Sequence, residues 1–347
     1  MTLTKLGMAG NDAVHEVAIA GACGSTAKVL TYGATLRDLA MPVGNGPNRR
    51  VVLGFRSLEG YLQDPSYIGA TVGRCINRIA DGAFVLDGLS YQVPINEGDD
   101  VHLHGGLRGL TRRVWQVAEQ SENAVALAIT SPDGEEGYPG TLQARCTYRI
   151  DGPGTLTLEL IATTDAPTIA NLGHHSYFTL QPGSDVRDHK MSVAADFFTP
   201  LKPNLIPTGE IRSVAGTQYD FRRPRRIRLD DGYGRDFEGY DINFVLNQGW
   251  LPGRAADDLP VAARLVSPAG DLAMELSTSE PGLQFYEGIR LAPTTEDFEG
   301  APHVPYSGLC LEPQRFPDSI NRPHFSPVVL RPGETYRQIS RFRFRAP

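Results

Sequence analysis

Thirty-seven glycines and 26 prolines are spread evenly along these 347 residues. Turns therefore recur often and a long uninterrupted helix is hard to place. What remains between the breaks reads as strand. Ala124–Thr130, Leu142–Ile150 and Thr155–Thr163 are short runs rich in apolar and β-branched residues, the last alternating at Leu156, Leu158 and Leu160. Asp87-Gly88 lies between Phe84-Val85-Leu86 and Leu89-Ser90-Tyr91, where a two-residue turn with positive φ closes a hairpin. A second hairpin is expected to join Val261–Val266 to Leu272–Leu276, and Arg341 to Arg345 keeps a strict period of two. Helix is expected only in short pieces, Ser57–Tyr61 and Phe316–Asn321. No βαβ repeat or longer internal period appears, which leaves a large antiparallel sandwich or barrel. No linker separates the Pro200–Pro207 or Gly300–Pro305 patches from their surroundings, so residues 1–347 are expected to form one domain.

Composition narrows the function. A formal charge of −7 argues against nucleic acid as the main partner. No run of 18 apolar residues and no apolar leader are present, so a cytoplasmic protein without a membrane partner is expected. Cys23, Cys75, Cys146 and Cys310 are scattered without a Cys-x-x-Cys pair, which suggests reduced thiols rather than a zinc cluster or disulfide framework.

Chemistry concentrates in a few segments. Ile169 to Leu180 places His174 and His175 side by side in an apolar, strand-like stretch. Neighbours on a strand face opposite ways, so at most one of them lines a given pocket. A histidine there suits proton transfer near neutral pH, although a core histidine satisfied by backbone is the plain alternative. Gly73 to Arg78 sets Arg74, Asn77 and Arg78 among small residues, a loop able to hold hydroxyls, unless an arginine pairs with Asp81. His102 and His104 share a face if extended and would make half of a metal site, but no further ligand at metal spacing is recognisable. Gly239–Phe244 and Gly282–Gly288 mix amides and acids with aromatics, as sugar sites do. Glu312 follows an apolar triplet and is costly to bury unless employed or paired, with Arg315 the near candidate. Serine-hydrolase elbows and phosphate-binding glycine loops are lacking.

Taken in order, these segments resemble the aldose 1-epimerase (galactose mutarotase) family. The matching phrases are T-Y-G-A-T-L at Thr31–Leu36, G-R-C-I-N-R-I at Gly73–Ile79, L-H-G-G at Leu103–Gly106 and H-S-Y-F-T-L at His175–Leu180. G-Y-D-I-N-F-V-L at Gly239–Leu246, L-Q-F-Y-E-G at Leu283–Gly288 and L-E-P-Q-R-F-P-D-S-I-N at Leu311–Asn321 continue the series. The resemblance implies a large antiparallel β-sandwich with few short helices. It also implies Glu312 as general base, His175 as general acid and His104 as an assistant at the ring oxygen. Asn77, Arg78, Asp241 and Gln284 would hold hydroxyls, with Tyr177 in support. Neither cofactor nor metal is expected, and the partner is a free monosaccharide bound by a monomer or weak dimer. Two positions depart from the family pattern, His174 where asparagine is common and Ile242 where histidine is common, and both are expected to alter the shell around the sugar. The rival readings are a glycoside hydrolase using Asp241 and Glu312, and a sugar-binding module without catalysis.

Overall fold

Period-two burial builds the larger sheet. Leu156, Leu158 and Leu160 on Thr155–Thr164, and Phe342 and Phe344 on Tyr336–Arg345, all turn inward, while Arg343 and Arg345 point to water. These neighbours sit at the middle of a nine-stranded antiparallel sheet running from Gln116–Gln120 at one edge to Arg225–Arg226 at the other. The fold is a computed structural model that describes residues 3–44, 46–229, 239–292 and 296–347.

A six-stranded antiparallel sheet packs against it, in the order Tyr177–Phe178, Leu309–Gln314, Gly282–Tyr286, Asp241–Val245, Phe197–Thr199 and Arg212–Ser213. Its inner face contributes Leu309, Leu311, Leu283, Phe285, Ile242 and Phe244 to the main core. Phe178 meets Phe342 across the layers with ring centroids 5.0 Å apart. A five-stranded sheet from Leu3–Ala9 to Arg49–Arg50 adds Val17, Val29 and Leu36 to the same core. The expected all-β sandwich is therefore the architecture observed, with helix among the described residues limited to Leu58–Gln63 and single 3₁₀ turns such as Ser319–Asn321. Both hairpins form where expected, Ala83–Leu86 with Leu89–Gln92 and Val261–Val266 with Ala273–Thr278. The four cysteines are free thiols. Among the described residues no helix is long and apolar enough to cross a membrane.

Candidate active site

The outer face of the six-stranded sheet is polar, and its register explains why. Asp241, Tyr286, Cys310 and Tyr177 stand opposite one another across four strands, and Asn243, Gln284 and Glu312 form the next row on the same face. Alternate residues of the same strands are the core side chains above. The mixture of aromatic and polar residues in Gly239–Phe244 and Gly282–Gly288 is thus mostly strand alternation: Tyr240, Phe244 and Phe285 are buried in the core, and Tyr286 alone of these aromatics lines the cleft. Glu312 lies within its strand rather than at the end, and is 2 % exposed.

A cleft of about 190 Å³ covers this face, bounded by Tyr67, Asn77, Arg78, Glu97, His104, His175, Tyr177, Asp241, Tyr286, Arg290 and Glu312. Drug-sized ligands occupy roughly 300–1,000 Å³, so this volume suits a smaller molecule. On its floor Glu312 Oε2 lies 3.7 Å from His175 Nε2. That oxygen has no hydrogen-bond partner, and burial pushes the Glu312 carboxyl well above its usual range, aided by the nearby Asp241 charge and opposed by Arg78. Burial likewise lowers His175 to about 4. His175 leaves its own polar contacts on the other side of the ring, where Cys310 Sγ lies 3.5 Å from Nδ1.

The loop wall is built by residues in left-handed conformation. Asn77 and His104 have φ of 64° and 52° and are bonded both ways: His104 N–H donates to Asn77 O, and Asn77 N–H donates to His104 Nδ1 at 3.2 Å. Because Nδ1 accepts, the remaining proton of the neutral ring sits on Nε2. Burial holds His104 well below the ordinary histidine range, with His175 and Arg78 adding to the effect. Gly105 follows at φ 84°, and a side chain there would come within 1.9 Å of Gly73 O. Arg78 is clamped by Glu97 through Nε at 2.5 Å and Nη2 at 2.8 Å, and reaches Asp241 Oδ2 at 3.5 Å. The Tyr67 ring lies over His104 and His175, with centroids 4.7 and 5.9 Å away.

Six of the seven residues singled out from sequence thus line one cleft. Gln284 stands behind it, and its amide donates to Asp241 Oδ1 at 2.6 Å. His174 faces the core, hydrogen bonding with Ser176 Oγ at 2.6 Å and Tyr148 Oη at 3.3 Å, and burial lowers it to about 3. Ile242 is also a core residue. The expectation that these two alter the sugar's shell is corrected, since neither touches the cleft. The shared face expected of His102 and His104 is absent too: the strand ends at Leu103, His104 turns into the cleft, and His102 bonds to Tyr138 Oη and Pro94 O. Arg74 is structural, satisfied by Ser131, Pro132, Pro139 and Gly140 rather than by Asp81. Arg315 pairs with Glu280, not with Glu312. Tyr67, Glu97 and Arg290 were not found from sequence, Tyr286 was marked only as one of the aromatics of Gly282–Gly288, and Cys310 carried one unused signal, its place two residues before Glu312 on a strand.

Among the described residues a metal has one candidate set. His175, Cys310 and Glu312 each offer a ligand atom, all within 4.8 Å of one another. The shortest contacts, Sγ to Nδ1 at 3.5 Å and Oε2 to Nε2 at 3.7 Å, involve different nitrogens of the one imidazole.

Comparison with known proteins places this sandwich among carbohydrate isomerases. The sequence profile of the family described as Aldose 1-epimerase matches residues 15–343. Galactose mutarotase of Bos taurus is 41% identical over 320 residues, covering 91% of this chain and 90% of that protein. Aldose 1-epimerase of Escherichia coli (strain K12) is 35% identical over 330 residues, covering 93% of each. Among solved structures, an aldose epimerase homologue from C. elegans superposes with a TM-score of 0.85 at 30% identity, covering 96% of this chain and 99% of that one. Galactose 1-epimerase from Lactobacillus acidophilus NCFM gives 0.83 at 28% identity, covering 99% and 98%. The chain belongs to the aldose 1-epimerase family.

Proposed function

We propose that the protein interconverts the α and β anomers of a free aldose, with Glu312 as general base and His175 as general acid. The observation that carries this reading is the unpartnered Glu312 oxygen facing His175 Nε2 across 3.7 Å on the cleft floor. The two oxygens of a hemiacetal share one carbon, so a donor and an acceptor this close can address both.

Glu312 as carboxylate takes the proton of the C1 hydroxyl. The electron pair left on that oxygen forms the aldehyde carbonyl, the bond from C1 to the ring oxygen breaks, and the ring oxygen takes a proton from His175. Rotation of the aldehyde and reversal of each transfer closes the ring on the other face. Before sugar binds, the environments of the two groups leave their one shared proton on the carboxyl. Passing it to His175 creates carboxylate and imidazolium without exchange with solvent, and Arg78 favours that charged form of Glu312. His104 offers its Nε2 proton to the ring oxygen, while Asn77, Arg78 and Asp241 hold hydroxyls. Gln284 acts here by fixing Asp241. Asp241 is engaged by Arg78 and Gln284, which does not favour a second free carboxylate for glycoside hydrolysis.

The reading takes residues 1–347 as one catalytic domain, a cytoplasmic monomer or weak dimer without nucleic-acid or membrane partners. Polarimetry of freshly dissolved α-galactose, glucose, xylose, arabinose and fucose tests it. Accelerated loss of rotation supports it, and phenol released from an aryl glycoside would replace it with hydrolysis.

A further inference from the structure

We propose that Asn96 and Glu97, neighbours in one loop, are the positioning residues of the cleft wall, Asn96 fixing the turn that carries His104 and Glu97 aiming the guanidinium of Arg78. This rests on the acid–base reading of the cleft, in which His104 serves the chemistry and Arg78 holds sugar hydroxyls.

Val101–Leu103 pairs with Arg78–Ala80, which sets Arg78 opposite Leu103, the residue before His104. Past that strand His104, Gly105 and Gly106 in succession have positive φ, at 52°, 84° and 107°. A histidine does not hold such a conformation unaided, so the turn needs ties from outside itself. Asn96 supplies them. Its Oδ1 accepts from Leu103 N–H at 2.7 Å, and its Nδ2 donates to Leu103 O and to Gly106 O, both at 3.0 Å. One side-chain amide thus grips the chain on both sides of His104. It uses two donated hydrogens and one accepting oxygen, a set that aspartate does not offer.

Glu97 is joined to the same strand through its backbone, its N–H donating to Val101 O at 3.1 Å. Its carboxylate accepts from Arg78 Nε at 2.5 Å and Nη2 at 2.8 Å, a forked pair that fixes the plane of the guanidinium. Arg78 Nη1 bonds to no described residue, so the clamp leaves that corner for a hydroxyl. Arg290 Nη1 lies farther from Glu97, at 3.8 Å, and its side chain is largely in water, so it competes weakly with Arg78. The two holds meet in consecutive residues. His104 and Arg78 are thereby set relative to each other by one short loop that itself moves no proton.

The test uses double-variant cycles in the full chain, with galactose and glucose as probes. Glu97→Ala is expected to weaken sugar binding by roughly ten-fold, as for the loss of one charge-assisted contact, with kcat within about three-fold. Asn96→Asp is expected to do the reverse, lowering kcat by roughly ten-fold with KM within about three-fold, because a misplaced group costs rate. Added to Arg78→Met, Glu97→Ala should cost no further affinity; added to His104→Asn, Asn96→Asp should cost no further rate. Residues that touch the sugar themselves, or that only support the fold, would add their losses. Glu97→Gln and Asn96→Ala replace any variant that does not fold. Additive losses in either cycle, or wild-type constants in either single variant, overturn the proposal. Hydrogen exchange reads both holds without sugar: the Arg78 Nε–H, identified by its absence in Arg78→Met, and the Leu103 amide are expected to exchange roughly ten-fold faster in Glu97→Ala and Asn96→Ala respectively. A wild-type protein that accelerates exchange of no sugar would strike the acid–base reading, and unchanged hydrogen exchange in these variants would overturn the holds themselves.

Discussion

Gln284 stands directly opposite Glu312 in the neighbouring strand, yet its amide donates to Asp241 and leaves the Glu312 Oε2 atom without a partner. A buried carboxylate oxygen with no hydrogen bond costs several kcal/mol when ionised, unless something compensates it. The sheet gives that compensation to Asp241, through Gln284 and Arg78, and withholds it from Glu312. Two acids on one face thereby sit in different environments: Asp241 is anchored, and Glu312 is the one the proposed mechanism uses as base.

Replacing Glu312 by glutamine keeps the shape of the side chain and removes its basicity. Turnover is expected to fall by about 10² to 10⁴, the usual contribution of a general base, with sugar affinity changed only a few-fold. Polarimetry gives the rate and calorimetry the affinity. Near-normal turnover would remove Glu312 as base.

The pH profile follows from the signs of the two shifts. Below about pH 4 His175 gains a proton while Glu312 already holds one, so no base remains. At alkaline pH, above the raised value of Glu312, the shared proton is lost and no acid remains. His104, held neutral by burial, adds no transition near pH 6.5. The value of kcat/KM, which reports the free enzyme, is expected to show an acid limb approaching pH 4 and to fall again where the raised Glu312 carboxyl loses its proton. An acid midpoint near 6.5 would mean that His175 titrates like an exposed histidine, and the shared-proton picture would fail.

Sequence patterning carried the scaffold well because burial on two faces writes period two directly into the chain. Leu142–Ile150 forms with the bounds expected of it, and Phe342 and Phe344 turn inward as their spacing requires. Residues that line the cleft were legible where a whole phrase could be matched, as for His175 and Glu312. They were lost where geometry depends on one dihedral or on distant segments. His104 leaves the face of His102 because its own φ is 52°, which spacing alone does not reveal. Tyr67 and Glu97 reach the cleft from loops, where no periodicity marks direction. Arg74 and Arg78 looked alike in one hexapeptide, and only long-range partners, Ser131 and Gly140 against Glu97 and Asp241, separate the structural one from the one in the cleft.

Arg315 lies just beyond the strand that carries Glu312 and forms a buried pair with Glu280, Nε to Oε2 at 3.1 Å. Glu280 has no exposure, its second oxygen lacks a partner, and burial raises it to about 6 despite the arginine. Arg315→Ala is expected to destabilise the fold by about 3–5 kcal/mol at pH 7, because it strands a buried charge. The double change to leucine at both positions is expected to cost less. Since a raised carboxyl is protonated at low pH and stability is lost as pH rises through its folded value, the Arg315→Ala deficit should be smaller at pH 5 than at pH 7. Urea unfolding of the three proteins at both pH values measures this, and equal deficits would show that Glu280 is not the group left uncompensated.

Gly105 is where backbone conformation and chemistry meet. Its φ of 84° disfavours any side chain, and a Cβ would lie 1.9 Å from Gly73 O, a backbone atom that cannot swing aside. The clash must push apart the loop at Gly73 and the turn that follows His104. His104 is held by its two bonds with Asn77, so the displacement passes to both residues of the cleft wall. Gly105→Ala is therefore expected to destabilise by more than roughly 1 kcal/mol, whereas the same change at a site of compatible conformation stabilises by up to about that amount. It should also reduce kcat/KM in the protein that remains folded, since misplacement by about 1 Å can cost on the order of 100-fold in rate. Gly88→Ala serves as the control: its φ is also positive, at 80°, but its Cβ would meet nothing within 4 Å. That variant carries backbone strain without displacement and should lose stability while keeping its activity. Equal activity losses in the two would show that strain, and not the shift of the Asn77 and His104 wall, is responsible.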